Sequence, residues 1–373
     1  MLDNRKFQSR TSKNLKKKSN NTEESSNFLS FDKLIYHPEK LIGYKKDKHV
    51  FPITATLSLG NYCNHGCLWC STAYWRQDDS NSIDYKKITK WLTNAKKKGL
   101  KGVGYVGNGE PLAYKNFLQL IRKVNSLGLD QGVFTNGYLI DRFIDELISS
   151  FTYVRISLDA GSKKIHSTLH DVAPTHFDKI IKNIERLTNK RKKKTPTVGV
   201  QFATHQRNIF DLENCVKLCK EINVDYVSIK PVFDRGSVND KIEKNSIKTK
   251  EISEIVDKLR SYENESFKIF FREFQFESEH LGFNILEYDR CYAGYFGVNI
   301  YENGTITGCG PHHVPVGDLD TNLHDLEKNI ISVSKKLDLK NCPAGCRFHP
   351  MNRLLHKLKN KESFAKNEHI NLI

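Results

Sequence analysis

Phe51-Pro52-Ile53-Thr54-Ala55-Thr56-Leu57-Ser58-Leu59 runs straight into Gly60-Asn61-Tyr62-Cys63-Asn64-His65-Gly66-Cys67-Leu68-Trp69-Cys70, and the reading of this stretch decides the fold. The first half is predicted to be a strand, with β-branched residues alternating towards a Gly-Asn breaker. The second half places three thiols within eight residues, directly after that strand. Only a loop can bring all three to one point. Thiolates select soft metals, so zinc and iron–sulfur are the candidates. Zinc sites commonly use C-x2-C pairs and four protein ligands. A C-x3-C-x2-C loop that lacks a fourth ligand instead leaves one iron of a 4Fe–4S cluster open.

Working outward, the chain alternates strand and helix. The spacing of Ile88, Trp91, Leu92 and Ala95 predicts a helix near 84–98, and an apolar strand follows at 101–106. A helix near 115–127 precedes a strand near 130–134, and a helix near 141–149 precedes a strand at 153–158. Helix 174–189, strand 197–204, helix 209–221 and strand 224–230 continue the series. Such alternation means βαβ units and a parallel sheet. Six strands fit an α/β fold of the partial (β/α)6 TIM-like barrel type. From about 235 the rhythm changes, through a polar loop and a helix near 249–261, to short strands rich in Phe, Tyr and Gly that carry four more clustered cysteines.

The expected organisation is a disordered basic arm over 1–28, a lead-in helix over 29–50 and the barrel over 51–235. A helical and strand connection over 236–279 completes the barrel, and a smaller cysteine-containing extension fills 280–373. The arm is rich in Asn, Ser and Lys and cannot repay the entropy of ordering.

With 38% hydrophobic and 27% charged residues the chain can build a core, and no apolar run approaches the ~18 residues of a membrane span. No apolar h-region follows the charged N-terminal residues, so a secretory signal is not expected and the cytoplasm is. In that reducing compartment, the nine cysteines are better read as metal ligands or thiols than as disulfides. Much of the net charge of +16 sits in Lys16–Lys18 and Lys190–Lys194. These look like a solvated arm and a loop tip, so nucleic acid is not an expected partner.

The Cys63-x3-Cys67-x-Trp69-Cys70 loop after strand one resembles that of the radical S-adenosylmethionine (SAM) superfamily, including the aromatic residue before the last cysteine. The resemblance implies that Cys63, Cys67 and Cys70 hold a 4Fe–4S cluster whose open iron is chelated by the amino and carboxylate groups of SAM. One electron, from a partner such as flavodoxin or ferredoxin, then gives methionine and a 5′-deoxyadenosyl radical that abstracts hydrogen from a substrate. Gly107-Asn108-Gly109-Glu110-Pro111 is similar to the family's GGEP segment, with Asn108 replacing a Gly, which makes Gly109, Glu110 and Pro111 cofactor-binding candidates. Asn136 in Thr135-Asn136-Gly137, and Ser157 and Asp159 in Ser157-Leu158-Asp159, stand where related enzymes contact the ribose and methionine moieties. All lie at C-terminal strand ends, where barrel enzymes put chemistry.

Further on, Cys291-x12-Gly304-x4-Cys309 resembles the opening of the SPASM and twitch extensions, and Cys342-Pro343-Ala344-Gly345-Cys346 follows. Seven cysteines would serve two clusters in a full SPASM extension. The four here, Cys291, Cys309, Cys342 and Cys346, imply one auxiliary 4Fe–4S cluster; by ligand type alone a structural zinc is also open. Cys215 and Cys219, i and i+4 on a helix, read as buried packing. His312 and His313 are expected at solvent or bonded to their loop, and Lys230 ends strand six within possible reach of SAM or substrate.

The lead-in Ile35-Tyr36-His37-Pro38-Glu39-Lys40 and the C-terminal segment resemble SPASM-containing proteins of surface-polysaccharide and aminosugar pathways. The expected substrate is therefore a carbohydrate-like small molecule, oxidised, epimerised or subjected to elimination. Peptide modification is the alternative enzyme reading, and a nucleic-acid-binding protein with structural metal sites is the alternative of another class.

Overall fold

A computed structural model describes residues 31–46, 48, 51–73, 81–233, 243–281, 288–342 and 345–359. The arm expected over 1–28 lies outside them. The chain divides into two units, Met1–His49 and Val50–Ile373. In the first, a 3-10 turn (Phe31–Tyr36) is followed by helix α1 (Pro38–Lys45), whose proline occupies the first turn, where a missing N–H costs nothing.

In the second unit, seven strands pair in parallel in chain order: β1 (Thr54–Leu57), β2 (Gly102–Tyr105), β3 (Asp130–Thr135), β4 (Tyr153–Ser157), β5 (Thr197–Thr204), β6 (Tyr226–Pro231) and β7 (Lys268–Phe271). An eighth, β8 (Gly297–Ile300), lies parallel to β1 on its other side, with Leu57 opposite Ile300. Antiparallel β9 (Thr305–Thr307) and β10 (Pro315–Asp318) extend the sheet beyond it. The order is β10-β9-β8-β1-β2-β3-β4-β5-β6-β7, an open sheet that matches the expected partial barrel.

The crossovers are helices whose apolar stripes face the sheet. In α2 (Tyr85–Lys97), Ile88, Trp91, Leu92 and Ala95 are buried as their spacing predicts, and the Asp84 carboxylate accepts the Lys87 N–H to cap the start. Then come α3 (Phe117–Ser126), α4 (Ile144–Ser150), α5 (Lys163–His170), α6 (Thr175–Lys190), α7 (Leu212–Glu221), α8 (Thr249–Leu259) and α9 (Glu273–Leu281). Short α10 (Ala293–Phe296) leads into β8, and α11 (Leu323–Lys336) and α12 (His349–Lys359) follow β10. Cys215 and Cys219 are buried on α7 with sulfurs 3.9 Å apart, in the packing role expected of them.

Helix α5 and strands β7 and β8 lie beyond the six strands and their helices anticipated from periodicity. Strand β7 falls in the stretch expected to complete the barrel, and β8 joins the cysteine-bearing extension to the central strand. The Ser58 N–H donates to Ile300 O at 2.8 Å, so the loops after β1 and β8 leave the sheet at the same end.

Between β4 and α5 the chain passes so close to α7 that a Cβ on Gly161 would stand 2.2 Å from the Cys215 nitrogen. The Asp211 carboxylate fastens this crossing, accepting from the Gly161 N–H at 2.7 Å and from the Ser162 hydroxyl at 2.9 Å. Because the clash is with backbone, Gly161→Ala is expected to destabilise the fold by ~1–3 kcal/mol, the range for overpacking. Urea unfolding checks this, and a midpoint equal to wild type would contradict the packing described.

Candidate active site

The cysteine loop hangs on the last turn of α5. Gly66 N–H donates to His170 O and Leu68 N–H to Leu169 O, both at 2.9 Å. Gly66 cannot carry a side chain here without crowding, since a Cβ would meet an Asp171 carboxylate oxygen at 2.9 Å. Cys70 N–H bonds back to Cys67 O at 3.2 Å and closes a tight turn. All three cysteines are half-buried. The Cys63 sulfur lies 3.9 Å from Asn136 Nδ2, the Cys67 sulfur 3.3 Å from His170 Nδ1 and the Cys70 sulfur 3.4 Å from the Thr72 hydroxyl. Among the described residues, the trio of His, Cys or acidic donors found within 4.8 Å of one another is His65, His166 and His170. At least one pair of the three cysteine sulfurs is therefore more than 4.8 Å apart, wider than the ~3.8 Å at which one tetrahedral zinc draws its ligands with a Zn–S distance of ~2.3 Å. Three half-buried soft donors at that spread fit a cluster with an open iron.

The Gly107–Pro111 segment locks against this loop. A Cβ on Gly109 would lie 2.1 Å from Tyr62 O, and the Glu110 N–H donates to that same oxygen at 2.8 Å. The Glu110 side chain is 6% exposed. It accepts from Thr135 Oγ1 at 2.7 Å, Asn136 N at 2.8 Å and Leu112 N at 3.0 Å. Burial raises its pKa, and these three donors oppose the rise. Pro111 is buried at the start of a 3-10 turn. Glu110 thus joins the end of β2 to the end of β3, where Asn136 Nδ2 donates to Asn64 Oδ1 in the cysteine loop at 2.8 Å.

At the end of β4, Ser157 is half-buried, and Asp159 adopts a left-handed conformation with φ of 58°. Its carboxylate accepts from Ala203 N at 2.7 Å and from the Trp69 indole at 3.2 Å, and its carbonyl accepts from Asn208 Nδ2 at 2.8 Å. Burial pushes its pKa up to about 6, against Ala203, Lys230 and Trp69. Trp69, the aromatic residue of the loop, is thereby tied to β4. Lys230 ends β6 close enough for its charge to act on Asp159.

Two features were not anticipated. Glu302, just past β8, accepts from Ser58 Oγ at 2.8 Å and from Asn108 Nδ2 at 3.0 and 3.1 Å. Asn108 is the residue that replaces the expected Gly, and that replacement was the available signal. A buried histidine group also surrounds the loop. His65 Nδ1 lies 3.1 Å from His170 Nδ1, and His166 stacks on His170 with centroids 4.2 Å apart and planes 12° apart. His176 approaches His65 Nε2 at 3.5 Å and stacks on Tyr138 at 4.1 Å. Burial first, then His170 and His176, push His166 down to about 2; burial and then His65 push His170 down to about 3. Both are neutral imidazoles at neutral pH.

The second cysteine set also converges. Cys291 and Cys309 are buried, and Cys342 and Cys346 half-buried. Burial and the neighbouring thiols push Cys342 up to about 12, with Cys291, Cys346 and Cys309 all contributing. Cys309 rises to about 12 chiefly by burial, with Cys291 and Cys346 adding and the His312 backbone opposing. Cys309 and Cys342, which resist ionisation in the company of the other two thiols, are suited to a cation, which deprotonates coordinating thiols outright. His312 Nε2 lies 3.1 Å from the Cys342 sulfur, so this histidine is bonded to the centre, and Asn352 Nδ2 donates to the Cys291 sulfur at 3.4 Å.

Fold and cysteine loop together are those of the class to which the partial-barrel iron–sulfur enzymes conform. Residues 57–219 match the model of the radical SAM superfamily. A tungsten-containing aldehyde ferredoxin oxidoreductase cofactor-modifying protein of Pyrococcus furiosus is 24% identical over 232 residues, 60% of this chain and 64% of that protein. A probable GTP 3′,8-cyclase of Pyrococcus abyssi is 29% identical over 146 residues, 38% of this chain and 46% of that protein. The chain thus spans less than two thirds of the length of these curated relatives. Streptococcus suis SuiB, solved bound to S-adenosylmethionine, shares the fold with a TM-score of 0.64 at 20% identity, over 86% of this chain and 80% of its own. anSMEcpe, solved with bound AdoMet, does so with a TM-score of 0.57 at 15% identity, over 84% and 97%. Residues 57–219 thus carry a radical SAM domain, the kind of domain that uses a 4Fe–4S cluster and SAM. No helix among the described residues is long and apolar enough to cross a membrane.

The histidine group makes the metal-free fold acid-sensitive. Below an ordinary histidine pKa of 6.5, the unfolded chain takes up protons that buried His166 and His170 refuse, so stability falls as pH falls. Each contributes a slope of up to ~1.4 kcal/mol per pH unit. Asp159 acts oppositely: raised from 3.8 to about 6, it makes stability fall as pH rises across that window, and Glu110 shifts in the same sense. Across that window the slopes of the two histidines are opposed by those of the two carboxylates. Replacing His166 with Phe is expected to flatten the loss between about pH 6 and 5 by roughly one proton's slope, measured by urea unfolding at each pH.

Proposed function

We propose that the chain reductively cleaves SAM and abstracts hydrogen from a carbohydrate- or aminosugar-like small molecule, which is oxidised, epimerised or subjected to elimination. The carrying observation is the gathering at one end of the sheet of Cys63, Cys67 and Cys70 with the strand-end groups Asn136, Ser157 and Asp159. The cluster supplies, when bound, the single electron that breaks the SAM sulfonium bond to give methionine and a 5′-deoxyadenosyl radical.

The protein's own part is to bind, orient and exclude water. Cys63, Cys67 and Cys70 would hold the cluster, and the Gly109 backbone, Asn136, Ser157 and Asp159 would seat SAM. Glu110 and Pro111 act from beneath, by holding the ends of β2 and β3 in register with the loop. Ser58, Asn108 and Glu302 form a hydrogen-bonded polar cluster beside β1, chemistry that suits a hydroxyl- or amine-bearing substrate. The centre at Cys291, Cys309, Cys342 and Cys346 would hold an auxiliary 4Fe–4S cluster able to accept an electron from a substrate radical, with a flavodoxin- or ferredoxin-like donor reducing the first.

Peptide modification is the second reading, favoured by fold neighbours solved with peptides: SuiB with precursor peptide SuiA and anSMEcpe with the Kp18Cys peptide. Nucleotide sugars and unmodified peptides, offered in parallel with SAM and reductant, separate the two by which one yields a new product mass.

Anaerobic reconstitution is expected to give roughly eight iron and eight sulfide per chain, as two 4Fe–4S clusters require, with 5′-deoxyadenosine released after reduction. Stoichiometric zinc with no SAM cleavage would sink the reading. Replacing Cys63, Cys67 and Cys70 by Ala should remove about half the iron, one cluster of two, and all SAM cleavage. Replacing Cys342 and Cys346 should spare cleavage without substrate and stop product formation.

A further inference from the structure

The histidine at the end of α5 faces the middle cysteine of the loop. We propose that His170 is a positioning residue that donates an Nδ1–H hydrogen bond to the Cys67 sulfur and thereby raises the reduction potential of the cluster bound there. The proposal rests on the reading of Cys67 as a cluster ligand.

Four observations carry it. The Nδ1-to-sulfur distance is 3.3 Å, and His170 is 2% exposed, so water is kept from the contact; His65 Nδ1, 3.1 Å from the same nitrogen, is a second acceptor that shares the proton. An iron-bound sulfur has no proton to give, so the contact is attractive only with the imidazole proton on Nδ1. Nε2 has no partner of good hydrogen-bond geometry: Asp159 Oδ2, at 3.7 Å, is too distant, and the Leu158 backbone acts on the ring only enough to oppose part of the fall in its pKa. Finally, the carbonyls of Leu169 and His170 receive the Leu68 and Gly66 N–H groups, so the turn that carries the ring also carries the loop. Sulfur and imidazole keep their spacing because one pair of backbone bonds fixes both. A donor aimed at a ligand sulfur stabilises the more negative, reduced cluster and raises its potential.

The same histidines could be taken for a metal site, since donors of His65, His166 and His170 lie within 4.8 Å. The stacking of His166 on His170 argues against it. With planes 12° apart and centroids 4.2 Å apart, their lone pairs run side by side. An ion ~2.0–2.1 Å from each nitrogen could not lie in both ring planes. The stack serves instead to hold the His170 ring still.

The test is an EPR-monitored redox titration of the anaerobically reconstituted full chain, following the reduced-cluster signal that changes on adding SAM. Absence of such a signal from the wild type would overturn the ligand assignment and the proposal with it. With the signal present, His170→Phe is expected to disfavour reduction about tenfold, ~59 mV for a one-electron couple. His170→Gln keeps an N–H donor and should recover most of that shift. His166→Phe preserves the stack without touching sulfur and should keep the wild-type potential. An unchanged potential in His170→Phe, or an equal fall in His170→Gln, would overturn the proposal. Should the variants fail to assemble a cluster, wild-type protein labelled with 15N-histidine decides it. Pulsed EPR is then expected to show a weak histidine nitrogen coupling to the SAM-responsive signal, and its absence would count against the hydrogen bond.

Discussion

One buried carboxylate organises the end of the sheet where the chemistry is placed. Glu110 has almost no contact with solvent and spends its acceptor capacity on Thr135, Asn136 and Leu112, while its own N–H is given to Tyr62. A charge so placed is tolerable only because its donors are fixed, and leaving any one unmade costs the full desolvation of the group left behind. The ends of β2 and β3 and the approach to Cys63 are consequently one rigid piece. Asn136, held by Glu110 through its backbone, reaches the loop through its side chain. The cysteine loop is therefore supported from below by Glu110 and from the side by α5, with little of its geometry left to the loop itself.

The features legible in the sequence were those with a strong period or spacing. The stripe of α2 and the thiol spacing of Cys63, Cys67 and Cys70 each specify an arrangement on their own. Strands β3, β4 and β5 match their expected ranges closely because apolar residues fill them between clear breakers. Helix α5 escaped notice because its inward face is built from His166, Leu169 and His170, and two of those three read as polar. Strand β7, Lys268–Phe271, is only four residues long, too short for alternation to show. The pairing of β8 with β1 joins residues more than two hundred positions apart, and no local pattern encodes such a partner.

At the site, the residue types were easier to foresee than their orientations. Glu110 was expected at SAM, and three donors converge on its buried carboxylate, an arrangement that its segment alone does not encode. Asp159 was expected at the cofactor as well, and its carboxylate is occupied by Ala203 and Trp69. Glu302 could not be foreseen as the partner of Ser58 and Asn108 until β8 was seen beside β1. In each case the missing information was which strand ends are neighbours, a property of the sheet as a whole.

The position of β8 bears on how the protein fails. Since β8 is paired to β1 along all four residues of that strand, the four-cysteine segment is not a detachable appendage. Loosening it would turn β1 from an interior strand into an edge, baring a row of N–H and C=O groups that invite pairing with another chain. Oxidative damage at the distant thiols would then be felt first as self-association through the strand that carries the Cys63–Cys70 loop.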